Sequence, residues 1–425
     1  MSFSETVLTK IGNLSPAVVD ATLRRLAENE NIYRYLNVIT QKKLSSINEL
    51  NRVLVVSDTN IGDAVVIQSI IRVLKHYFPD CAVDYIYQLK AQPLIFNNPY
   101  INNDLPIFVD TNFTSTRNKA SIESLLAEID YDLIINLYPF FSSGALNYAK
   151  CPILVPFKLV ADIIINTKDS PIQTPHVLFQ LHNYITDLIH LLPYQLKPRD
   201  NTFPFECNKI YFSKTVFSNT NKLLKRLNIQ SDAKIIFLNP DTSSQYTLIP
   251  LEFQVELIKN LLWLDRHDFI LLGPGYTFQG IEHTLYNQIP VKLDNTKIII
   301  IPDNISIDTY TGIIDRSDLF ISGDTAQMHI AAAYKVCTDS KISFRNKTAM
   351  ISLFGATNSK IYGYDSFSKV HLTSSQDAPS KVFEGMPDCK NLTCVHKTHK
   401  NCAEVRCFEG IKVKDIIEFI MDQID

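Results

Sequence analysis

The sequence predicts an α/β protein with two Rossmann-like, doubly wound domains that face each other across a cleft. Short runs that are continuously apolar, such as "RVLVVS" at 52–57 and "FILLG" at 269–273, are typical of strands buried on both faces of a parallel sheet. Amphipathic helical segments alternate with these runs along the chain, as they do when helices cover both sides of a sheet. A length of 425 residues is sufficient for two hydrophobic cores.

The composition excludes several classes of protein. With 46% hydrophobic and 20% charged residues the chain is ordinary for a globular protein, and a formal net charge of −3 gives no field that would attract nucleic acid. The start "MSFSETVLTK" lacks the pattern of a secretory signal, and no apolar run reaches about 18 residues. These features predict a cytoplasmic protein without a transmembrane segment. A reducing compartment would keep Cys81, Cys151, Cys207 and Cys337 as packed thiols.

Three regions follow one another along the chain. Residues 1–50 show helical spacing and are predicted to be an added N-terminal helical segment. Residues 51–205 are predicted to form the first Rossmann-like domain. It begins with the strand at 52–57, the turn "DTNIGDAV", the helix "VIQSIIRVLKHYF" and the strand "AVDYIY". The predicted elements that follow are the helix "SIESLLAEID", the strands "YDLIINL" and "PILVPF", and the helix "VLFQLHNYITDLIHLL".

The second domain is predicted over 206–425, after the linker "KPRDNTFPFECNK". Its predicted strands are "KIIFLN", "DFILLG", "KIIIIP", "LFIS" and "AMISLF", and its predicted helices are "LEFQVELIKNLLWL", "IEHTLYNQI", "IDTYTGIIDRS" and the C-terminal "IKVKDIIEFIMDQI". Ligands of such sheets bind beyond the carboxyl ends of the strands, so the loops after the strands are the candidate sites.

The segment "SGDTAQMH" at 322–329, called the elbow below, joins one of these strands to a helix. Asp324 or Thr325 could cap the helix by accepting a hydrogen bond from a backbone N–H. Alternatively, the unpaired N–H groups of the helix could bind a diphosphate. His329 is either a core residue or part of the same rim. The residues alone leave both pairs of alternatives open.

The loop "NIGD" at 60–63 offers a similar choice in the first domain. It is not the three-glycine fingerprint, so no NAD site is indicated. Asp63 either caps the following helix or accepts a proton from a substrate hydroxyl as a general base. Sequence does not decide whether the helix dipole or burial controls its basicity.

These motifs resemble those of glycosyltransferase family 9. The matching stretches include the "GD" loop, "IIFLNPDTSSQYTLIP", "FILLGPG" and "LFISGDTAQMHIAAA". The similarity covers roughly residues 51–425 and is strongest to the ADP-heptose:lipopolysaccharide heptosyltransferases. It implies a GT-B fold and inverting transfer of a sugar from a nucleotide-diphosphate donor, ADP-heptose by resemblance, to a cell-surface saccharide, glycolipid or protein. It also implies no cofactor for catalysis and allows peripheral contact with the inner face of the cytoplasmic membrane.

The resemblance assigns roles to particular residues. Asp63 corresponds to the proposed catalytic base, and Asn60 and Gly62 lie in the acceptor loop. The acceptor would bind the first domain and the donor the second. The predicted donor-binding residues are Asn239, Ser243, Ser244, Thr247, Gly273, Ile305, Asp324, Thr325, Ala326, Gln327 and His329.

The chain departs from the family pattern at three points. Thr247 stands where the family has a phosphate-binding lysine, and Ala326 replaces the glycine of the elbow. An insertion at 338–347 is predicted to cover the cleft or to mediate contacts. Two other functions therefore stay open: a non-catalytic saccharide- or nucleotide-binding protein, and a nucleotide-sugar epimerase that needs no acceptor.

Four cysteines, Cys389, Cys394, Cys402 and Cys407, lie near the C-terminus. They lack the paired C-x-x-C spacing of a zinc ribbon, which favours packed thiols over a structural zinc or iron site. Autotransporter heptosyltransferases, a branch of the family, hold iron through four cysteines near this end, so the resemblance keeps a metal site as the alternative.

Overall fold

The computed structural model describes residues 44–57, 61–107, 128–137, 154–155, 176–193, 196, 207–240, 248–264, 266–273, 297–339, 341–355, 357, 359–365, 378–385 and 407–423. The chain divides into two compact units. The first comprises Met1–Gln173 and Leu178–Phe205, and the second comprises Thr174–Val177 and Glu206–Asp425.

The first unit is built on a parallel sheet with the strand order β3-β2-β1-β4-β5 in its described part. Its strands are β1 (Arg52–Ser57), β2 (Ala82–Gln88), β3 (Asn103–Ile107), β4 (Leu133–Asn136) and β5 (Leu154–Val155). Its helices are α1 (Ile61–Tyr77), a 3-10 helix (Leu89–Leu94) and α2 (Val177–His190), of which only the first residue belongs to the second unit.

Strand β1 forms the centre of this sheet. Val53 aligns with Val83 on one side and with Leu133 on the other. All three side chains are almost fully buried. Each buried aliphatic side chain of this size contributes about 1.5–3 kcal/mol, which is why a run without a single exposed position folds as a central strand.

The second unit contains a larger parallel sheet with the strand order β13-β12-β10-β7-β8-β9 in its described part. Its strands are β7 (Ile235–Asn239), β8 (Phe269–Leu272), β9 (Lys297–Ile300), β10 (Leu319–Gly323), β12 (Ala349–Phe354) and β13 (Ser380–Glu384). A separate pair is formed by β6 (Lys209–Phe212) and β11 (Tyr334–Cys337). The helices are α3 (Thr215–Arg226), α4 (Leu251–Leu264), α5 (Ile307–Arg316), α6 (Ala326–Ala332), α7 (Ser359–Tyr362) and α8 (Val413–Gln423).

Helices α4 and α8 cover the sheet of the second unit. Val255 and Ile258 of α4 lie three residues apart, and Ile416 and Ile420 of α8 lie four apart, so each pair occupies one helical face. All four belong to one buried cluster with strand residues such as Ile321. This periodicity explains why both segments form helices that pack on the sheet.

The insertion at 338–347 is anchored within the second unit. The Phe344 ring is 93% buried and packs on Phe212 and Phe217, with ring centroids 5.4 and 4.3 Å away. Arg345 forms an ion pair with Asp318 at 2.9 Å. The described part of the insertion therefore mediates contacts inside this unit.

The structure confirms an α/β protein with parallel sheets and corrects one predicted boundary. The turn predicted at 58–65 is shorter than expected, because helix α1 begins at Ile61 and includes Gly62 and Asp63 in its first turn. Apolar residues at 64–67 are all buried, and this extends the helical face towards the N-terminus. The helical segment predicted at 1–50 falls almost entirely outside the described residues, as do the predicted helix at 281–289 and most of the one at 121–130.

Candidate functional site

The elbow of the second unit follows the carboxyl end of β10. Thr325 is the N-cap of α6, with extended backbone angles of φ −141° and ψ 165°. Its Oγ1 accepts a hydrogen bond from the backbone N–H of Met328 at 3.3 Å. The structure thus selects Thr325 from the two capping candidates, and Asp324 beside it is partly exposed.

The first N–H groups of α6 have no acceptor in the part of the chain that the structure describes. Ala326 and Gln327 are both partly exposed, and none of the described residues accepts a hydrogen bond from either backbone N–H. Helix α6 has only seven residues, so local hydrogen bonding rather than a long helix dipole would hold an anion here.

A chain of hydrogen bonds connects the elbow to the strand next to it. Register places Asn239, at the end of β7, beside Ser322 of β10. The Asn239 amide donates to Ser322 Oγ at 3.2 Å, and Ser322 Oγ lies 3.0 Å from Thr325 Oγ1. From the other side, the hydroxyl of Tyr310 on α5 donates to Asn239 Oδ1 at 2.7 Å. Asn239, a predicted donor-binding residue, is 99% buried and acts within this network.

Gly273 lies at the end of β8, where only glycine fits. A Cβ atom at this position would lie 2.8 Å from the Tyr310 hydroxyl and 2.9 Å from Asn239 Oδ1. Both distances are shorter than real Cβ contacts allow, so the absence of a side chain permits the Tyr310–Asn239 hydrogen bond. Gly273 therefore shapes the site through the network.

Gly273→Ala should destabilise the protein by about 1–3 kcal/mol, because the added methyl group forces apart a buried hydrogen-bonded pair. Urea denaturation measures the loss. Tyr310→Phe serves as the matched partner: it removes one of the two clashing atoms, so the double variant should lose less stability than the sum of the single variants. Strictly additive losses would show that the methyl group does not act on this pair.

His329 lies on α6, four residues after the cap. It is 93% buried, and its Nδ1 lies 2.9 Å from the hydroxyl of Tyr364. His176 packs its ring on Tyr364 at a centroid distance of 4.8 Å. Burial and the neighbouring His176 lower the pKa of His329 to about 3. Burial also lowers the pKa of His176 to about 4, in spite of a hydrogen bond with the backbone of Tyr362 that raises it. Both imidazoles are therefore neutral at physiological pH.

In the first unit, Asp63 is exposed in the first turn of α1. Beneath that turn, the hydroxyl of Tyr85 donates to the backbone carbonyl of Ala64 at 3.4 Å and bonds with Ser57. Burial and the negative charge of Asp63 both raise the pKa of Tyr85 above its ordinary value. A carboxylate that is exposed on a helix start held by buried groups is accessible to a substrate hydroxyl.

The structure says less about the other residues that the sequence predicted for the site. Gly62 is buried in the first turn of α1, and Ile305 is partly buried just before α5. Asn60, Ser243, Ser244 and Thr247 lie outside the described residues, as do Cys389, Cys394 and Cys402. Cys407 packs at the edge of the core of the second unit, and the Cβ of a substituted Gly355 would lie 3.0 Å from Cys407 Cβ.

Two kinds of feature are absent from the described ranges. Among those residues, no group of three or more His, Cys, Asp or Glu side chains could hold a metal ion. No helix in the same part of the chain is long and apolar enough to cross a membrane.

Sequence reasoning missed four residues of the site: His176, Tyr310, Ser322 and Tyr364. Ser322 carried a signal, since it is the first residue of the elbow. Tyr310 and Tyr364 carried no such signal, because their partners are distant in the chain. Tyr310 lies 71 residues from Asn239, and Tyr364 lies 35 residues from His329.

Comparison with known proteins identifies the class of this fold. No protein-family model matches the chain. Among solved structures, it is similar to a glycosyltransferase family 9 protein of Veillonella parvula, with a TM-score of 0.63, 15% identity, and coverage of 88% of this chain and 97% of that chain. It is also similar to the ADP-heptose lipopolysaccharide heptosyltransferase II of E. coli, with a TM-score of 0.58, 15% identity, and coverage of 87% and 97%. An E. coli heptosyltransferase with ADP-2-deoxy-2-fluoro heptose gives a TM-score of 0.53, 15% identity, and coverage of 87% and 99%. The fold is thus that of these GT-B glycosyltransferases.

A curated relative points to the same family at the level of sequence. Lipooligosaccharide heptosyltransferase 2 of Campylobacter jejuni is 25% identical over 209 residues, which are 46% of this chain and 53% of the relative. The match thus spans about half the length of that relative. The resemblance to glycosyltransferase family 9 and its heptosyltransferases is confirmed.

Proposed function

We propose that the protein is an inverting glycosyltransferase that moves a sugar, heptose by resemblance, from a nucleotide-diphosphate donor to a saccharide or glycolipid of the cell surface. The observation that carries the proposal is the elbow: a capped helix start after a parallel strand, with two N–H groups that no described residue engages. Such groups bind phosphate oxygens and stabilise a departing diphosphate without a metal. The similarity to heptosyltransferases supports the choice of donor class.

The proposed mechanism divides the chemistry between the two units. The acceptor binds the first unit, and Asp63 accepts the proton of its hydroxyl as that oxygen attacks the anomeric carbon. The donor binds the second unit, where Asp324, Thr325, Ala326, Gln327 and His329 surround the diphosphate and sugar. The chain needs no cofactor for this reaction, works in the cytoplasm and reaches glycolipid acceptors at the inner face of the membrane.

The experiment that tests this function measures release of ADP from ADP-heptose. Release that depends on a lipopolysaccharide-core acceptor supports the transferase. Conversion of the sugar without an acceptor indicates an epimerase. Donor binding without turnover, detected as a rise in melting temperature, indicates a non-catalytic binding protein.

Thr247→Lys should tighten binding of ADP-heptose by about 10-fold. Neutral hydrogen bonds are weaker than charge-assisted ones, so restoring the family's lysine adds about 1–2 kcal/mol if position 247 faces a phosphate. Calorimetry on the wild type and the variant measures the change. Thr247→Gln is the control, because it adds length without charge and should leave the affinity within about 2-fold. Unchanged or weaker binding by the lysine variant would exclude position 247 from the phosphate site and with it the heptose-donor assignment.

The four C-terminal cysteines are expected to be packed thiols. Purified protein should then contain well under one zinc or iron ion per chain, and Cys394→Ser should keep the wild-type melting temperature within a few degrees. Metal analysis by mass spectrometry decides between packed thiols and a structural metal site. About one ion per chain, lost together with stability in the serine variant, would establish a structural metal site instead.

A further inference from the structure

The hydrogen bond between His329 and Tyr364 determines where the proton of the imidazole lies. A buried tyrosine hydroxyl has one proton to donate, and burial without an acceptor costs about 1–3 kcal/mol. Tyr364 is 99% buried, and among the described residues its hydroxyl has one hydrogen-bonding partner, His329 Nδ1 at 2.9 Å. The hydroxyl therefore donates, and Nδ1 accepts.

The proton of a neutral imidazole that accepts at Nδ1 must be on Nε2. The low pKa of His329, about 3, keeps the ring neutral, so the tautomer is defined. None of the described residues forms a hydrogen bond with His329 Nε2. Among the described residues the N–H at this position thus has no acceptor. His329 is 7% exposed and lies one helical turn after the cap Thr325.

Several contacts hold Tyr364 in this role. Its ring packs on His176 at 4.8 Å and on His329 at 5.7 Å, the latter edge-on at 78°. The carboxylate of Asp324 lies close enough to contribute, after burial, to raising the pKa of Tyr364, which keeps the hydroxyl protonated. The ring of Tyr364 is thus held between two neutral histidines.

We propose that Tyr364 is a positioning residue: it donates its hydroxyl proton to His329 Nδ1 and so presents His329 Nε2–H as a neutral hydrogen-bond donor to the diphosphate of the nucleotide-sugar. The contact with the diphosphate rests on the proposed function, whereas the tautomer of His329 does not. Neutral donors are weaker than charged ones, so fixing their direction matters more.

The test begins without any ligand. Long-range proton–nitrogen NMR of protein labelled with ¹⁵N-histidine reports which imidazole nitrogen is protonated, and His329→Gln assigns the signals. The wild type should show His329 with a protonated Nε2 and an accepting Nδ1. Tyr364→Phe keeps the ring but removes the hydroxyl, and it should shift the Nδ1 signal or mix the two tautomers. Tyr362→Phe, which removes a hydroxyl two residues away, should leave both signals unchanged.

The second readout is the affinity for ADP, measured by calorimetry. Tyr364→Phe should weaken binding by about 10-fold in the wild-type background and by less than about 2-fold in a His329→Ala background, because the tyrosine acts through the histidine. A protonated Nδ1 in the wild type, or an unchanged tautomer in Tyr364→Phe, would overturn the proposal. Equal losses in both backgrounds would likewise show that Tyr364 does not act through His329. No ADP binding by the wild type would overturn the proposed function and remove the diphosphate as the partner of Nε2. A protonated Nε2 would still establish that the Tyr364 hydroxyl donates to His329 Nδ1.

Discussion

Asp63→Asn is expected to lower the turnover number by about 100-fold or more while leaving donor affinity unchanged. General base catalysis contributes about 10²–10⁴-fold, and an amide of the same shape cannot accept the proton of the acceptor hydroxyl. Initial rates of ADP release from ADP-heptose at saturating acceptor measure the effect. The donor dissociation constant is measured separately, because loss of a base should change turnover without changing donor binding.

The fold around Asp63 makes this substitution a fair test. The side chain is exposed in the first turn of α1, so the variant buries no unpaired amide. The change removes a favourable charge at a helix start, which costs about 0.3–1 kcal/mol of stability and does not unfold the protein. Tyr85 and Ser57, which support the turn from below, are unchanged.

Asp80→Asn is the matched control. Asp80 is also exposed, but it follows the end of α1 and so lies at the opposite end of the helix from Asp63. It should show wild-type turnover. A turnover near that of the wild type in Asp63→Asn would reduce Asp63 to a charge that stabilises the helix start, and a different base would then have to be sought.

The central part of each fold could be predicted from the sequence because it depends on local pattern. Strands such as β7 and β10 begin with the apolar runs "IIFL" and "LFI", and burial on both faces leaves such a run few alternatives. The elbow was predictable for the same reason, since a cap and the N–H it satisfies lie three residues apart. The start of α1 was misplaced because Gly62 interrupts the apolar pattern but is itself buried within the helix.

The support of the site could not be predicted because it is not local. Asn239 meets Ser322 across 83 residues, and this pairing exists because β7 and β10 are neighbours in the sheet. Strand order is a property of the whole fold, and the local periodicity of either strand contains no information about it. The same holds for Tyr364, which reaches His329 from beyond strands β11 and β12 and helix α7.

The buried histidines should make the protein unstable in mild acid. His176 and His329 have folded-state pKa values of about 4 and about 3, well below the ordinary value of 6.5 that applies when the chain is unfolded. The unfolded state therefore binds protons that the folded state does not bind. Each histidine contributes its full stability above about pH 6.5, and this contribution is lost as the pH falls towards the folded-state values. At about pH 5 the loss is about 2 kcal/mol for each histidine.

A variant that removes one of the two groups isolates this effect from the carboxylates that also titrate in acid. His176→Phe keeps an aromatic ring against Tyr364 and should reduce the drop in unfolding free energy between about pH 7 and pH 5 by about 2 kcal/mol. Urea denaturation followed by circular dichroism measures that drop in each protein. His190→Gln is the control for the loss of an imidazole, because His190 is exposed at the end of α2. An equal drop in His176→Phe and in the wild type would mean that His176 accepts a proton in the folded protein. Of these two histidines, only His329 would then reduce the stability of the protein in acid.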